Sequence, residues 1–142
     1  MIAYLDTSAI VKAYLPDEFG RETFESIVDS SIDLAASRFT YVEVRASLAA
    51  ARRAGRLTVL EHDEVIESFD TAWRGYLIVE LDEPVGKRAG DIAEMFGLRA
   101  GDAVQLASVL QMNLDETMLV AWDARLASAA RAAGVMTYPI EA

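Results

Sequence analysis

Apolar residues along this chain follow two spacings. Short continuous runs at 2–5, 34–36, 76–81, 118–121 and 135–138 are bounded by polar or turn-forming residues and have the length of strands buried on both faces. Between them, apolar positions recur every three or four residues, which predicts helices near 8–15, 18–30, 40–54, 60–74, 84–96, 101–112 and 124–133. Gly55, Gly97 and Gly134 stand where helical patterns stop and are expected as C-terminal caps. Strands alternating with helices predict an α/β fold: a three-layer α/β/α domain around a five-stranded, mostly parallel sheet. Nothing resembling a linker, repeat or low-complexity stretch interrupts the sequence, and Pro16, Pro84 and Pro139 fall at element edges. Residues 1–142 are therefore expected to form a single domain.

Composition narrows the chemistry. The chain has no cysteine, which excludes disulfides, a thiolate nucleophile and Cys-ligated zinc or iron–sulfur clusters. Its hydrophobic fraction of 53% exceeds what one small core readily absorbs and points to a homo-oligomer or an obligate partner. The N-terminus lacks a basic leader, and no apolar run has the length of a membrane span, so a cytoplasmic protein without a membrane partner is expected. Thirteen Lys and Arg against 23 Asp and Glu give a formal charge of −10, which argues against nucleic acid unless acids are engaged by cations and local fields dominate. Arg45, Arg52, Arg53 and Arg56, with Lys12, Arg38, Lys87, Arg88 and Arg99, are candidate phosphate contacts. Ordinary solvated surface is the competing account of the same residues.

Four acids carry the argument: Asp6, Glu43, Asp102 and Asp123. Each has a local explanation at a predicted helix start. Asp6 and Asp123 precede helical segments, Thr40 with Glu43 reads as a capping box, and so does Asp102 with Gln105. Taken together they fit capping less well. Asp102 shares a helical face with Leu106, Val109 and Leu110, and Glu43 with Phe39, Ala46 and Ala50, so both are expected on core-facing stripes. Charge directed inward is costly unless paired or bound to metal, and no cationic stripe accompanies these acids. Oxygen ligands suit Mg2+ or Mn2+, which keep several waters and accept phosphate. Ser8 is a candidate to steady a ligand carboxylate or water, with a helix-start hydroxyl as the equal alternative, and Thr7 shares the ambiguity. His62 lies among Glu61, Asp63 and Glu64 and is placed outside the site. Trp73, Trp122 and the tyrosines are assigned to core or interface rather than to base stacking.

These residues lie in segments that resemble the PIN-domain toxins of the VapC type. The segments are Leu5-Asp6-Thr7-Ser8-Ala9, Ser37-Arg38-Phe39-Thr40-Tyr41-Val42-Glu43-Val44, Leu98-Arg99-Ala100-Gly101-Asp102-Ala103 and Leu119-Val120-Ala121-Trp122-Asp123-Ala124-Arg125-Leu126. The resemblance implies a PIN-like parallel sheet, a homodimer, and a metal-dependent endoribonuclease restrained by a small antitoxin protein. It implies Asp6, Glu43 and Asp102, with Asp123 as fourth, as the catalytic and metal-binding acids, and Ser8 beside them. Family members often place Thr or Ser where this chain has Ala121, and an aromatic residue or His where it has Gln105. The chemistry implied is hydrolysis of an RNA phosphodiester by in-line attack of water, leaving 5′-phosphate and 3′-hydroxyl ends. A basic antitoxin segment would suit the acidic surface and compete for it. Two rivals are a phosphohydrolase using Asp6 as nucleophile and a non-catalytic interaction module. Asp6-Thr7-Ser8 lacks the second aspartate that such phosphohydrolases carry two residues on, and calorimetric titration with Mn2+ separates the interaction module from a metalloenzyme.

Overall fold

The computed structural model describes residues 1–16 and 18–139 of the chain. Five parallel strands form one sheet in the order β3-β2-β1-β4-β5: β1 (Ile2–Leu5), β2 (Asp33–Ser37), β3 (Leu77–Val79), β4 (Thr117–Val120) and β5 (Met136–Tyr138). All five lie on the predicted apolar runs. The runs lack polar alternation because both faces of the sheet are covered. Successive side chains of a strand point to opposite faces. Ala3 and Leu5 of β1, Ala36 of β2 and Val120 of β4 therefore join one core, while Tyr4, Ala35 and Leu119 join the other.

The first core lies under α1 (Thr7–Ile10), which tightens into a 3-10 turn at Val11–Ala13, and under α2 (Arg21–Ser30), α3 (Arg38–Arg53) and α4 (Val59–Trp73). An aromatic group of Tyr14, Tyr41, Phe69, Trp73 and Tyr76 fills its outer part with ring centroids 5.3–5.7 Å apart. The second core lies under α5 (Glu83–Phe96), α6 (Ala100–Val109) and α7 (Ala124–Ala132). Among the described residues no helix is long and apolar enough to cross a membrane.

Helix ends obey the expected chemistry in part. Gly97 closes α5 at φ +63°, and Gly55 and Gly134 follow α3 and α7 at +79° and +86°, conformations that a Cβ disfavours. Two predicted capping boxes are absent. Helix α3 begins at Arg38 with the Ser37 hydroxyl accepting the Phe39 N–H, so Thr40 and Glu43 lie inside it. Helix α6 begins after Arg99, which caps nothing with its side chain, and Asp102 is its third residue. The capping box that does form joins Thr58 and Glu61 at the start of α4.

Strand β1 pairs with β2 on one side and β4 on the other. The chain runs from β1 outward through β2 to β3 and crosses back to β4, and the helices after β1 and after β4 lie on opposite faces. The junction of β1 and β4 is thus the place where open parallel sheets form a crevice beyond their carboxyl ends.

Candidate active site

Asp6 and Asp123 follow the two strands that flank this crevice, and both cap the helices they begin. Asp123 accepts the Leu126 N–H at 3.0 Å. Asp6 lies deeper, 5% exposed. Its Oδ2 accepts the Ser8 hydroxyl at 2.8 Å and, at longer range, the Ser8 N–H at 3.4 Å. The Ser8 Oγ in turn accepts the Trp122 N–H at 3.0 Å. One hydroxyl thus ties the end of β1 to the segment leaving β4.

Glu43 and Asp102 enter from the helices. Glu43 is half-buried on α3, and its Oε1 accepts the Thr7 hydroxyl at 2.9 Å and the Gln105 amide at 3.0 Å. The helix faces differ from those expected. Thr40, Val44, Leu48 and Ala51 form the buried stripe of α3, whereas Ala46 and Ala50 are exposed. Glu43 therefore borders the crevice instead of facing the core. Helix α6 is buried on most sides, so Asp102, on its first turn, stands half-buried at the crevice edge above Leu106 and Val109.

The acids perturb one another. Burial first, then the charge of Glu43, pushes the Asp6 carboxyl up to about 7, against the lowering effect of the Ser8 hydroxyl. Asp102 is raised by burial, then by Asp123 and Glu43, with Arg99 and Arg125 opposing. These couplings link all four acids electrostatically. Among the described residues, however, no three Asp, Glu or His side chains converge at the spacing of a closed metal cage. The donor set nevertheless suits a hard dication, because its groups are oxygens and a cation relieves both the burial cost and the mutual repulsion that raise Asp6 and Asp102. Mg2+ in particular is commonly held by one or two carboxylates plus waters.

Several contacts around the acids are not written locally in the sequence. Gln105 is 1% exposed and contacts Tyr4, Thr40 and Glu43. A polar side chain inside Ala103-Val104-Gln105-Leu106-Ala107 was the available signal. Gly101 leaves room for Glu43, since a Cβ there would stand 2.9 Å from Oε2. Arg125 joins Arg99 as a cation acting on Asp102. Lys12, read as a phosphate contact, is instead buried: it donates to the Phe19 carbonyl, pairs with Glu18 and lies 4.6 Å from the centroid of the Trp122 ring. Arg38, Arg45 and Arg56 are engaged with Glu80, the Tyr41 hydroxyl and Glu18. His62 hydrogen-bonds to none of the four acids.

A family model described as the PIN domain matches residues 3–132. The chain belongs to the PIN-domain family. Within it, this PIN domain is 36% identical over 140 residues to Ribonuclease VapC45 of Mycobacterium tuberculosis, covering 99% of this chain and 96% of that one. Among solved structures it is similar to FitAcB from Neisseria gonorrhoeae, with a TM-score of 0.69, 23% identity, and 97% and 96% of the two chains covered. It is also similar to a toxin–antitoxin complex from Klebsiella pneumoniae, with a TM-score of 0.66, 20% identity and 99% of each chain covered. Those structures support the parallel five-stranded PIN fold with helices on both faces.

Proposed function

We propose that this chain is an endoribonuclease of a single catalytic domain, acting in the cytoplasm as the toxin of a toxin–antitoxin pair. The observation that carries the reading is the grouping of Asp6, Glu43, Asp102 and Asp123 at the β1–β4 crevice of a PIN domain akin to a VapC ribonuclease. Asp6, Glu43, Asp102 and Asp123 would hold Mg2+ or Mn2+, which when bound supplies positive charge to polarise water and offset charge on the scissile phosphate. The chain's own contributions are positional. Ser8 holds the Asp6 carboxylate and ties it to the Trp122 backbone. Thr7 holds Glu43. Arg99 and Arg125, on the Asp102 side, are suited to the substrate backbone. Burial of Asp6 keeps solvent from competing for its oxygens.

A homodimer and a small antitoxin are the proposed partners. Exposed Val42, Leu60, Leu81 and Met95 support burial against another chain, and the formal charge of −10 supports a basic antitoxin segment.

The direct test combines Mn2+ titration by calorimetry with cleavage of structured and unstructured RNA and mapping of the new ends. Wild-type protein should bind Mn2+ and yield 5′-phosphate ends, and Asp102→Asn should lose cleavage while retaining the wild-type circular dichroism spectrum. Cleavage that persists in chelator, or that survives in Asp102→Asn, overturns the proposal. Induced expression with and without the neighbouring small reading frame checks the partner: growth arrest should appear alone and be relieved by co-expression.

A further inference from the structure

The Gln105 side chain is a buried amide beside the crevice, and its partners fix its orientation. The Tyr4 hydroxyl donates to its Oε1 at 2.7 Å. Its Nε2 donates to the Thr40 Oγ1 at 2.6 Å and to the Glu43 Oε1 at 3.0 Å. A neutral amide has one acceptor end and one end with two donors. Turning it over would set its carbonyl oxygen against the Glu43 carboxylate, whereas the Tyr4 and Thr40 hydroxyls can serve either end, so the carboxylate fixes the orientation. Tyr4 itself is fully buried on the central strand. The amide is therefore anchored at one end to the sheet, through Tyr4, and at the other to α3, through Thr40 and Glu43.

The consequence falls on the carboxylate. Oε1 of Glu43 receives two donors, Gln105 from α6 and Thr7 from α1. Among the described residues, Oε2 has no hydrogen-bond donor and lies over Gly101, where a Cβ would come to 2.9 Å. Two elements grip one oxygen and a missing side chain clears the other. We infer that Gln105 is a positioning residue: with Thr7 it engages Oε1 of Glu43, so that Glu43 presents Oε2 alone to the crevice. This inference rests on the nuclease reading for what Oε2 serves, namely a single-oxygen ligand to the divalent cation. The grip on Oε1 is independent of that reading.

The test uses the full-length protein in two arms. In the first, Mn2+ affinity is measured by calorimetry and steady-state cleavage by kcat and KM, for wild type, Gln105→Met and Tyr4→Phe. Met retains most of the volume and removes both hydrogen-bonding ends, while Phe retains the ring and removes only the anchor on Oε1 of the amide. Loss of a partner that orients a metal ligand costs about tenfold to a hundredfold in metal affinity or activity. Gln105→Met should show that loss in Mn2+ affinity and in kcat with KM for RNA unchanged, and Tyr4→Phe a smaller loss of the same kind. Mn2+ affinity within twofold of wild type in both variants overturns the inference.

The second arm needs neither metal nor substrate. The side-chain amide protons of Gln105 are followed by nitrogen-15 NMR in wild type and in Glu43→Gln, a change outside the core. A charge-assisted bond predicts a downfield proton in wild type, slow to exchange relative to the exposed Gln111, that moves upfield in the variant. No change overturns the inference. Failure of wild type to bind Mn2+, with the NMR change present, instead sinks the metal reading and leaves the grip on Oε1 standing.

Discussion

Replacing Asp6 by Asn should make the metal-free protein more stable at neutral and alkaline pH while abolishing its proposed chemistry. The Asp6 carboxyl is raised from an ordinary value of 3.8 to about 7, first by burial and then by Glu43. A group whose folded value is raised binds more protons in the folded state than in the unfolded one. Stability is then greatest below the unfolded value, falls as pH rises from about 4 to about 7, and levels off above it. At 1.36 kcal/mol per unit, the full difference is on the order of 4 kcal/mol. Asn carries no charge and can still accept the Ser8 hydroxyl, but its NH2 must find a partner in a buried place, which offsets part of the gain. A net stabilisation of roughly 2 kcal/mol at pH 8 is expected, equivalent to a Tm rise of about 6–7 °C for a chain of this length. The assay is thermal unfolding in chelator from pH 4.5 to 8.5 for wild type and variant, followed at pH 8 by addition of Mn2+. Wild-type Tm should fall across the interval and recover with Mn2+, whereas the variant should change little in either case. A Tm difference that is constant with pH, or a variant less stable than wild type at pH 8, refutes the claim that Asp6 is a strained charge in the folded chain.

Further expectations follow from contacts of single atoms. Gly101→Ala should hold or improve thermal stability, since Ala exceeds Gly by up to about 1 kcal/mol within a helix, yet should lower Mn2+ affinity and cleavage, because its Cβ would meet Oε2 of Glu43 at 2.9 Å. Parallel calorimetry and unfolding curves check the opposite signs. Gly20→Ala should destabilise by roughly 1–3 kcal/mol, read by urea denaturation, because Gly20 has φ +85° and an added Cβ would stand 2.9 Å from Nε1 of Trp122. Thr58→Ala removes the capping box of α4 and should cost about 1 kcal/mol in the same assay with no change in cleavage rate.

What could be read from the sequence depended on the range of the interaction. The strands were legible because burial on both faces imposes continuous apolar runs on Ile2–Leu5 and Thr117–Val120, a pattern written locally. Asp6 and Asp123 were legible for the same reason, standing within three residues of the ends of those strands as helix caps. Helix α3 starts two residues before the predicted Thr40 because Ser37 is already the cap. Its core face is accordingly the Thr40, Val44, Leu48 stripe, and Glu43 does not share it. The link from Tyr4 to Gln105 spans 101 positions. No local pattern encodes such a pair; it exists only once β1 lies beneath α6. Lys12 misled in another way, because its charge suggested phosphate while its carbon stem and ammonium are taken up by Trp122, Phe19 and Glu18.

Parallel pairing of β1 with β4 also bears on the order of events during synthesis. A chain emerging from the ribosome can form α3 and the pairing of β1 with β2 early, since these need only the residues up to Arg53. The crevice is different. Its second wall, with Asp123 and the Trp122 N–H that steadies Ser8, is translated more than a hundred residues after Asp6. Until that segment leaves the exit tunnel, Asp6 and Glu43 have no opposite bank. A nascent chain on the ribosome, surrounded by RNA, therefore carries an incomplete blade for most of its synthesis. The four acids come together only when the last strands close.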